Sequence, residues 1–347
     1  MKKKLVGMLA TATLLTMALA GNVQAAEIRS VGPDGEAAVD ASTIELTDDQ
    51  IAQIKEGGYT AAICLHYGGN DWSTSQQKGL EDTFGELGIE IVAVTDANFS
   101  AETQVSNIET VMAKKPDILV SIPTDATATA DAYKQAAAAG IKIVFMDQRA
   151  DGLEAGKDYV SVVSADNYGN GYASGTVLGD ALGGKGKVAM VYYDANFAPT
   201  NQRDEGFRDA MKNYPDIEIV TEQGFTDESG CAEQGDAILT QFPNIDGIYA
   251  SWDVPMEGVL SAVRAAGMEG KVTLACNDLG NNVAREIASG NIAGGGAQMP
   301  YDQGVAEAKL AALALLGEET PSYVAVPAET VTHENVLEAY TDVYHVE

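Results

Sequence analysis

The sequence predicts an α/β protein built as two domains, and three observations carry that prediction. Short apolar runs alternate with helical patterns at intervals of roughly 25 residues, the rhythm of βα units. The runs are apolar without a break, as strands of a parallel sheet covered on both faces must be. After residue 146 the series pauses and then restarts near residue 159, which is the behaviour of a second α/β unit.

The first run, 60–65, stops short of Gly68-Gly69, and Asn70-Asp71-Trp72 then opens a helical pattern with Leu80, Phe84 and Leu87 on one face. In open α/β sheets, ligands sit outside the carboxyl ends of the strands, so this tip lies where a ligand would be held. Strand-like runs at 89–94, 117–122 and 141–146 complete the first series. Between them Val105, Ile108, Val111 and Met112 mark one helix face, and the Ala-rich stretch 126–139 supplies another helix.

In the second series the run 159–163 leads into Asp166-Asn167, a helix cap, and that helix ends at Gly183-Gly184. Runs at 187–192, 217–220, 247–250, 272–276 and 292–297 come next, each separated by a helical pattern. A helix at 301–316 is succeeded by Pro321, a Val-rich strand and a capped C-terminal helix from Glu334, so the chain end returns to a domain already built. No Pro/Gly/Ser-rich linker separates the halves. The chain is therefore expected to cross between domains through strands and not through a tether.

At the amino end, Lys2-Lys3-Lys4 and an apolar, small-residue run to Ala20 read as a secretory signal peptide, residues 1–25, cut after Ala25. No Cys comes after that run to carry a lipid anchor, so a free protein in a bacterial periplasm is expected. Residues 26–58 are polar, with a turn at Gly32-Pro33-Asp34-Gly35 and Thr47 to Gln50 capping a short helix, and read as an extension lying on the first domain. The chain beyond the signal peptide is long enough for two domains that each bury a core. With 51 acidic residues against 21 basic, the surface repels nucleic acid and anionic lipid, so neither is an expected partner. Three cysteines cannot all pair; Cys64 and Cys276 sit in apolar runs, Cys231 opens a helix, and no disulfide framework is predicted.

Enzyme chemistry finds little support. The stretch 179–186 has phosphate-loop glycines, but it lacks the magnesium-binding Ser or Thr and lies between a helix and a strand, the wrong order; a helix C-cap is the better reading. Gly169, Gly171 and Gly175 fall inside a helix, where close helix packing explains them. His66, His333 and His345 are far apart, which argues against zinc. There is no Gly-x-Ser-x-Gly, and His66 and Tyr67 are read as the exit of the first strand. Acidic residues are everywhere and a sequence does not give the separation of any two, so a glycosidase stays open on chemistry alone.

The informative pattern lies at strand ends. Asn70 and Trp72 come after the first strand, Asp147 after the fourth, Trp252-Asp253 and Asn277-Asp278 after two strands of the second series, and Gln298 after the last; Arg203 opens a helix beyond 187–192. Amides, carboxylates and a guanidinium supply paired donors and acceptors, and indoles supply flat apolar faces. Together they make a carbohydrate site, although each alone also reads as a helix cap or core residue.

These residues resemble a family, the periplasmic sugar-binding proteins of the ribose/galactose type, soluble receptors of ABC transporters. The resemblance runs from Tyr59 to about Val343. It rests on Asn70-Asp71-Trp72 with Gly79, Pro123-Thr124-Asp125, Asp147, Ser164-Ala165-Asp166-Asn167, Arg203 to Phe207, Trp252-Asp253, Asn277-Asp278 and Gln298-Met299-Pro300. It implies the type I periplasmic binding protein fold: two Rossmann-like lobes with parallel-sheet cores, joined by three crossovers near Ala165-Asp166, Gln298-Met299 and Pro327-Ala328. Residues 59–165 and 299–327 would form one lobe, and 166–298 and 328–347 the other. On the family pattern Asn70, Asp147, Arg203, Asp278 and Gln298 hydrogen-bond hydroxyls while Trp72 stacks on the ring.

This chain departs from the ribose pattern at Ile122, at Gln148 with Arg149 displaced by one, and at Trp252, so ribose itself is not the expected ligand. The implied function is hinge closure on a small sugar or polyol and its delivery to a membrane permease, with no cofactor, metal or catalytic residue. A monomer is expected. A sensor feeding a chemoreceptor or histidine kinase is the alternative within the class, and a secreted carbohydrate-active enzyme the alternative outside it.

Overall fold

Two parallel-stranded sheets account for the two series of strands. The structure is a computed structural model describing residues 27–346; the expected signal peptide lies outside the described residues. The first series runs β1 (Val39–Asp40), α1 (Asp48–Gly57), β2 (Thr60–Leu65), α2 (Asp71–Leu87), β3 (Glu90–Asp96), α3 (Ala101–Ala113), β4 (Ile118–Ser121), α4 (Ala130–Ala138), β5 (Lys142–Met146) and β6 (Ser161–Ala165). The second runs α5 (Asn167–Ala181), β7 (Lys185–Tyr193), α6 (Ala198–Met211), β8 (Asp216–Phe225), α7 (Cys231–Gln241), β9 (Gly247–Ala250), α8 (Asp253–Ala265), β10 (Thr273–Cys276), α9 (Asn281–Ala288) and β11 (Gly294–Ala297). Four elements close the chain: α10 (Pro300–Leu315), β12 (Tyr323–Val326), β13 (Glu329–Thr332) and α11 (Val336–Tyr344).

The first sheet has the order β1-β12-β6-β5-β4-β2-β3, and the second β13-β11-β10-β9-β7-β8. Every pairing is parallel except β13 on β11. The chain passes between the sheets at β6–α5, β11–α10 and β12–β13. Central strands β4 and β9 are buried at every residue, the reason their sequences are apolar throughout.

Edge strands depart from expectation in length. β8 runs Asp216–Phe225, well beyond 217–220, because an edge strand with a wet face accepts Glu218, Thr221 and Glu222 where a central one would not. The helix expected at 126–139 begins at Ala130; Asp125 Oδ1 accepts from the Thr127 and Ala128 N–H groups and holds that stretch as a turn.

Residues 27–58 do more than lie on the first lobe. β1 pairs with β12, Ile44 and Ile54 join the core, and the α1 capping box forms between Thr47 and Gln50. Ahead of β1, the Arg29 and Ser30 backbone N–H groups donate to Asp166, the cap of α5, at 3.0 and 2.8 Å. A two-residue strand is too short to show a period in sequence. All three cysteines are buried and free.

Candidate functional site

Loops from the carboxyl ends of both sheets meet around one cavity between the lobes. Its polar side is organised by Arg203. This residue sits inside α6, not at its start, because the helix already opens at Ala198 with Pro199 in its first turn. The α5 and α6 helices pack closely beside it, since a Cβ on Gly171 would lie 1.8 Å from the Arg203 carbonyl oxygen. Arg203 Nε donates to Asn167 Oδ1 at 2.8 Å, and Nη1 donates to Asp278 Oδ2 at 3.1 Å and to the Ser251 carbonyl at 3.3 Å. The Arg203–Asp278 pair is buried, and Asp278 Oδ1 accepts from Gln298 Nε2 at 2.8 Å.

Asp147 faces them from the first lobe. Its Oδ1 accepts from Ser164 Oγ at 2.8 Å and from Gln303 Nε2 at 3.4 Å. Burial raises its pKa, against the pull of the Ser164 hydrogen bond and the Arg203 charge. Asp147 and Asp278 both adopt left-handed backbone, φ 54° and 68°, which turns each side chain out of its strand end into the cleft.

The other side is aromatic. His66 stacks on Phe197, with ring centres 5.6 Å apart, and meets Trp72 edge-on at 5.8 Å. Tyr67 stacks on Phe99 at 4.2 Å, and Trp252 meets Tyr193 edge-on at 5.6 Å. Burial pushes the His66 pKa down to about 3, so this imidazole is neutral and is no acid or base at physiological pH. Four buried polar atoms on the cavity residues have no partner: His66 Nδ1, Trp72 Nε1, Trp252 Nε1 and Gln298 Oε1. Buried groups of this kind are satisfied when a ligand brings hydroxyls to them.

Asn70, Trp72, Asp147, Arg203, Trp252, Asp278 and Gln298 line the cavity. Asn70 is also the cap of α2: its Oδ1 accepts from Ser73 N–H and its Nδ2 donates to Tyr67 Oη. Two candidates do not line it. Asp253 is held by backbone, accepting from Val254 and Gly280 N–H groups at 2.8 and 2.9 Å. Asn277 faces into the second lobe, donating to Tyr249 Oη and the Ser251 carbonyl and accepting from Ser174 Oγ. Arg149 lies outside as well, paired with Asp34 at 2.8 Å.

His66, Tyr67, Phe99, Tyr193 and Phe197 line the cavity without having been singled out for it, beside Ile122, one of the departures from the ribose pattern; the reading of His66 and Tyr67 as a mere strand exit is corrected. The signal was present, since Tyr67, Phe99 and Phe197 all lie just beyond strands. Among the described residues no cluster of three or more His, Cys, Asp or Glu side chains could hold a metal.

Two α/β lobes with parallel sheets, meeting on a cavity that is polar on one side and aromatic on the other, define a hinged solute receptor. The chain belongs to the periplasmic binding protein family, whose domain model matches residues 61–319. It is 29% identical to the D-ribose/D-allose-binding protein of Pseudomonas aeruginosa over 76% of this chain and 83% of that one. Identity to the ribose import binding protein RbsB of Bacillus subtilis is 27%, over 61% of this chain and 67% of that one. A periplasmic solute-binding protein from Actinobacillus succinogenes with bound D-allose superposes with a TM-score of 0.74 at 29% identity, covering 81% of this chain and 99% of that one. One from Agrobacterium vitis bound with α-D-tagatopyranose gives a TM-score of 0.77 at 26% identity, covering 82% and 98%. No helix among the described residues is long and apolar enough to cross a membrane.

Proposed function

We propose that this protein is a non-enzymatic receptor that captures a small neutral sugar or polyol between its lobes and delivers it to the permease of an ABC transporter. The observation that carries this reading is the convergence of Asp147 from one lobe with Arg203, Asp278 and Gln298 from the other on a cavity walled by Trp72 and Trp252. Hydroxyls both donate and accept, so they suit a guanidinium set between carboxylates, and the C–H face of a sugar ring suits an indole. Relatives named for ribose and allose, and a similar structure with bound D-allose, support a pentose or hexose.

The free space in the cavity is about 50 Å³. Ligand pockets are usually roughly 300–1,000 Å³, so the walls must part to admit a sugar. Closure then favours the liganded state through contacts made to both lobes at once, and a permease would read the closed form. A chemoreceptor or sensor kinase could read the same form. Export by the cleavable signal peptide would place the receptor in the periplasm.

A thermal-shift screen against pentoses, hexoses and polyols tests the reading. At a hundred times Kd, one ligand should add about 2.7 kcal/mol to stability. Absence of any shift across the screen, or conversion of a bound sugar to product, overturns it.

A further inference from the structure

The inner cavity does not end at its aromatic wall. Phe99, Tyr193 and Trp252 also line a second chamber of about 300 Å³ that draws on both lobes, completed by Asn98, Phe225, Thr226, Asp227 and Glu228. That volume alone reaches the range of ligand sites, at about 300–1,000 Å³. The three rings are common to both spaces. Trp252 is nine-tenths buried, and its indole nitrogen and the buried Glu228 Oε2, though without a well-formed hydrogen bond to any group, lie beside each other: burial pushes the carboxyl pKa up, and the indole holds it down against that push. Asn98 and Phe99 both adopt left-handed backbone, φ 46° and 59°, unusual for a bulky ring, and this conformation sets Phe99 against Tyr67 and toward Tyr193.

We propose that the outer chamber is a second subsite, which takes the substituent of a glycoside whose sugar ring occupies the inner cavity. The proposal rests on the sugar-binding reading above and adds the class of ligand. Aromatic faces of Phe99, Tyr193 and Trp252 would stack on a second ring. Asp227 Oδ1 is taken by the Ser229 N–H and Oγ, which leaves its second oxygen and the Glu228 carboxylate to accept hydrogen bonds, and no Lys, Arg or His lines the chamber. Such a lining selects hydroxyl-bearing or ammonium-bearing substituents and rejects phosphate or carboxylate. The chemistry therefore points to a disaccharide or amino-sugar glycoside over a free monosaccharide or a sugar phosphate.

Calorimetry on the full protein tests this with four probes: the monosaccharide giving the largest thermal shift, its methyl glycoside, disaccharides carrying it at the non-reducing end, and its phosphate. At least one disaccharide is expected to bind roughly tenfold more tightly than the methyl glycoside, with the phosphate rejected. Glu228→Gln should weaken that disaccharide several-fold and leave the methyl glycoside unchanged. If the monosaccharide binds but every disaccharide is excluded or gains nothing, the subsite is overturned and the sugar-binding reading stands. If no saccharide binds, both fall.

Discussion

The carboxylate of Asp71, on the first turn of α2 in one lobe, accepts a 2.7 Å hydrogen bond from the backbone N–H of Asn281 at the start of α9 in the other. Gln148 makes a second bridge: its Nε2 donates to the Pro123 carbonyl in its own lobe, and its Oε1 accepts from Ala198 N–H across the cleft. These contacts exist only while the lobes are together. A carboxylate at a helix N-terminus is also favoured by the helix dipole.

Asp71→Ala should therefore weaken ligand binding without touching the ligand. Loss of one exposed hydrogen bond is worth about 1 kcal/mol, or roughly fivefold in Kd. The change should lie in the dissociation rate, read by stopped-flow fluorescence. An unchanged dissociation rate removes Asp71 from closure.

Arg203→Ala should abolish the ligand-induced thermal shift and destabilise the protein by about 3–5 kcal/mol, because the largely buried Asp278 charge loses its guanidinium partner and keeps only the Gln298 amide. Adding Asp278→Asn should restore stability but not binding. Recovery of binding in the double variant would take Arg203 out of the ligand contacts.

The protein has two tryptophans, and both line the cavity. A bound sugar should shift the intrinsic emission spectrum. Trp72→Phe and Trp252→Phe should each leave a smaller response, and no response in the unsubstituted protein at saturating ligand would place both outside the site.

Gly171→Ala tests the packing that positions Arg203. The added methyl meets the Arg203 carbonyl and must push α6 away from α5, at a cost of about 1–3 kcal/mol. Weaker binding should accompany the lower urea midpoint. A variant as stable as the parent would mean that the helices tolerate separation.

Asp204, buried and accepting from Ser251 Oγ and Tyr249 Oη, has its pKa raised from 3.8 to about 6, chiefly by burial. The folded state then holds this proton more tightly than the unfolded one. Its contribution is fully present below pH 4 and is lost as pH rises through about 6, amounting to about 3 kcal/mol. Asp204→Asn should gain on the parent by that amount between pH 4 and pH 7 in paired urea melts. An unchanged difference between the two proteins across that range would show that the fold does not raise the Asp204 pKa.

Much of the fold was legible because buried parallel strands leave an unbroken apolar signature. β2 and β9 match the runs at 60–65 and 247–250 to the residue. Legibility fell at the edges, where β1 is two residues long and β8 is half wet. In the site, the polar residues at strand ends stood out because they interrupt apolar runs. His66, Tyr67, Phe99, Tyr193 and Phe197 did not, since an aromatic after a strand looks the same whether it fills a core or a cleft.

Neighbours in sequence were separated only by backbone direction. Asp278, turned out by its left-handed φ, reaches the cavity, while Asn277 beside it faces Tyr249 and Ser174 inside the lobe. Trp252 lines the cavity, while Asp253 turns back to the Gly280 amide. The sequence by itself determined the α/β class, the order of strands and helices and the polar groups at their ends, because periodicity and capping are local. Which of those groups share one cavity, and that Asp71 reaches across it, depended on how the lobes are set against each other. That arrangement is made by contacts between residues as far apart in the chain as Asp71 and Asn281, which no local pattern records.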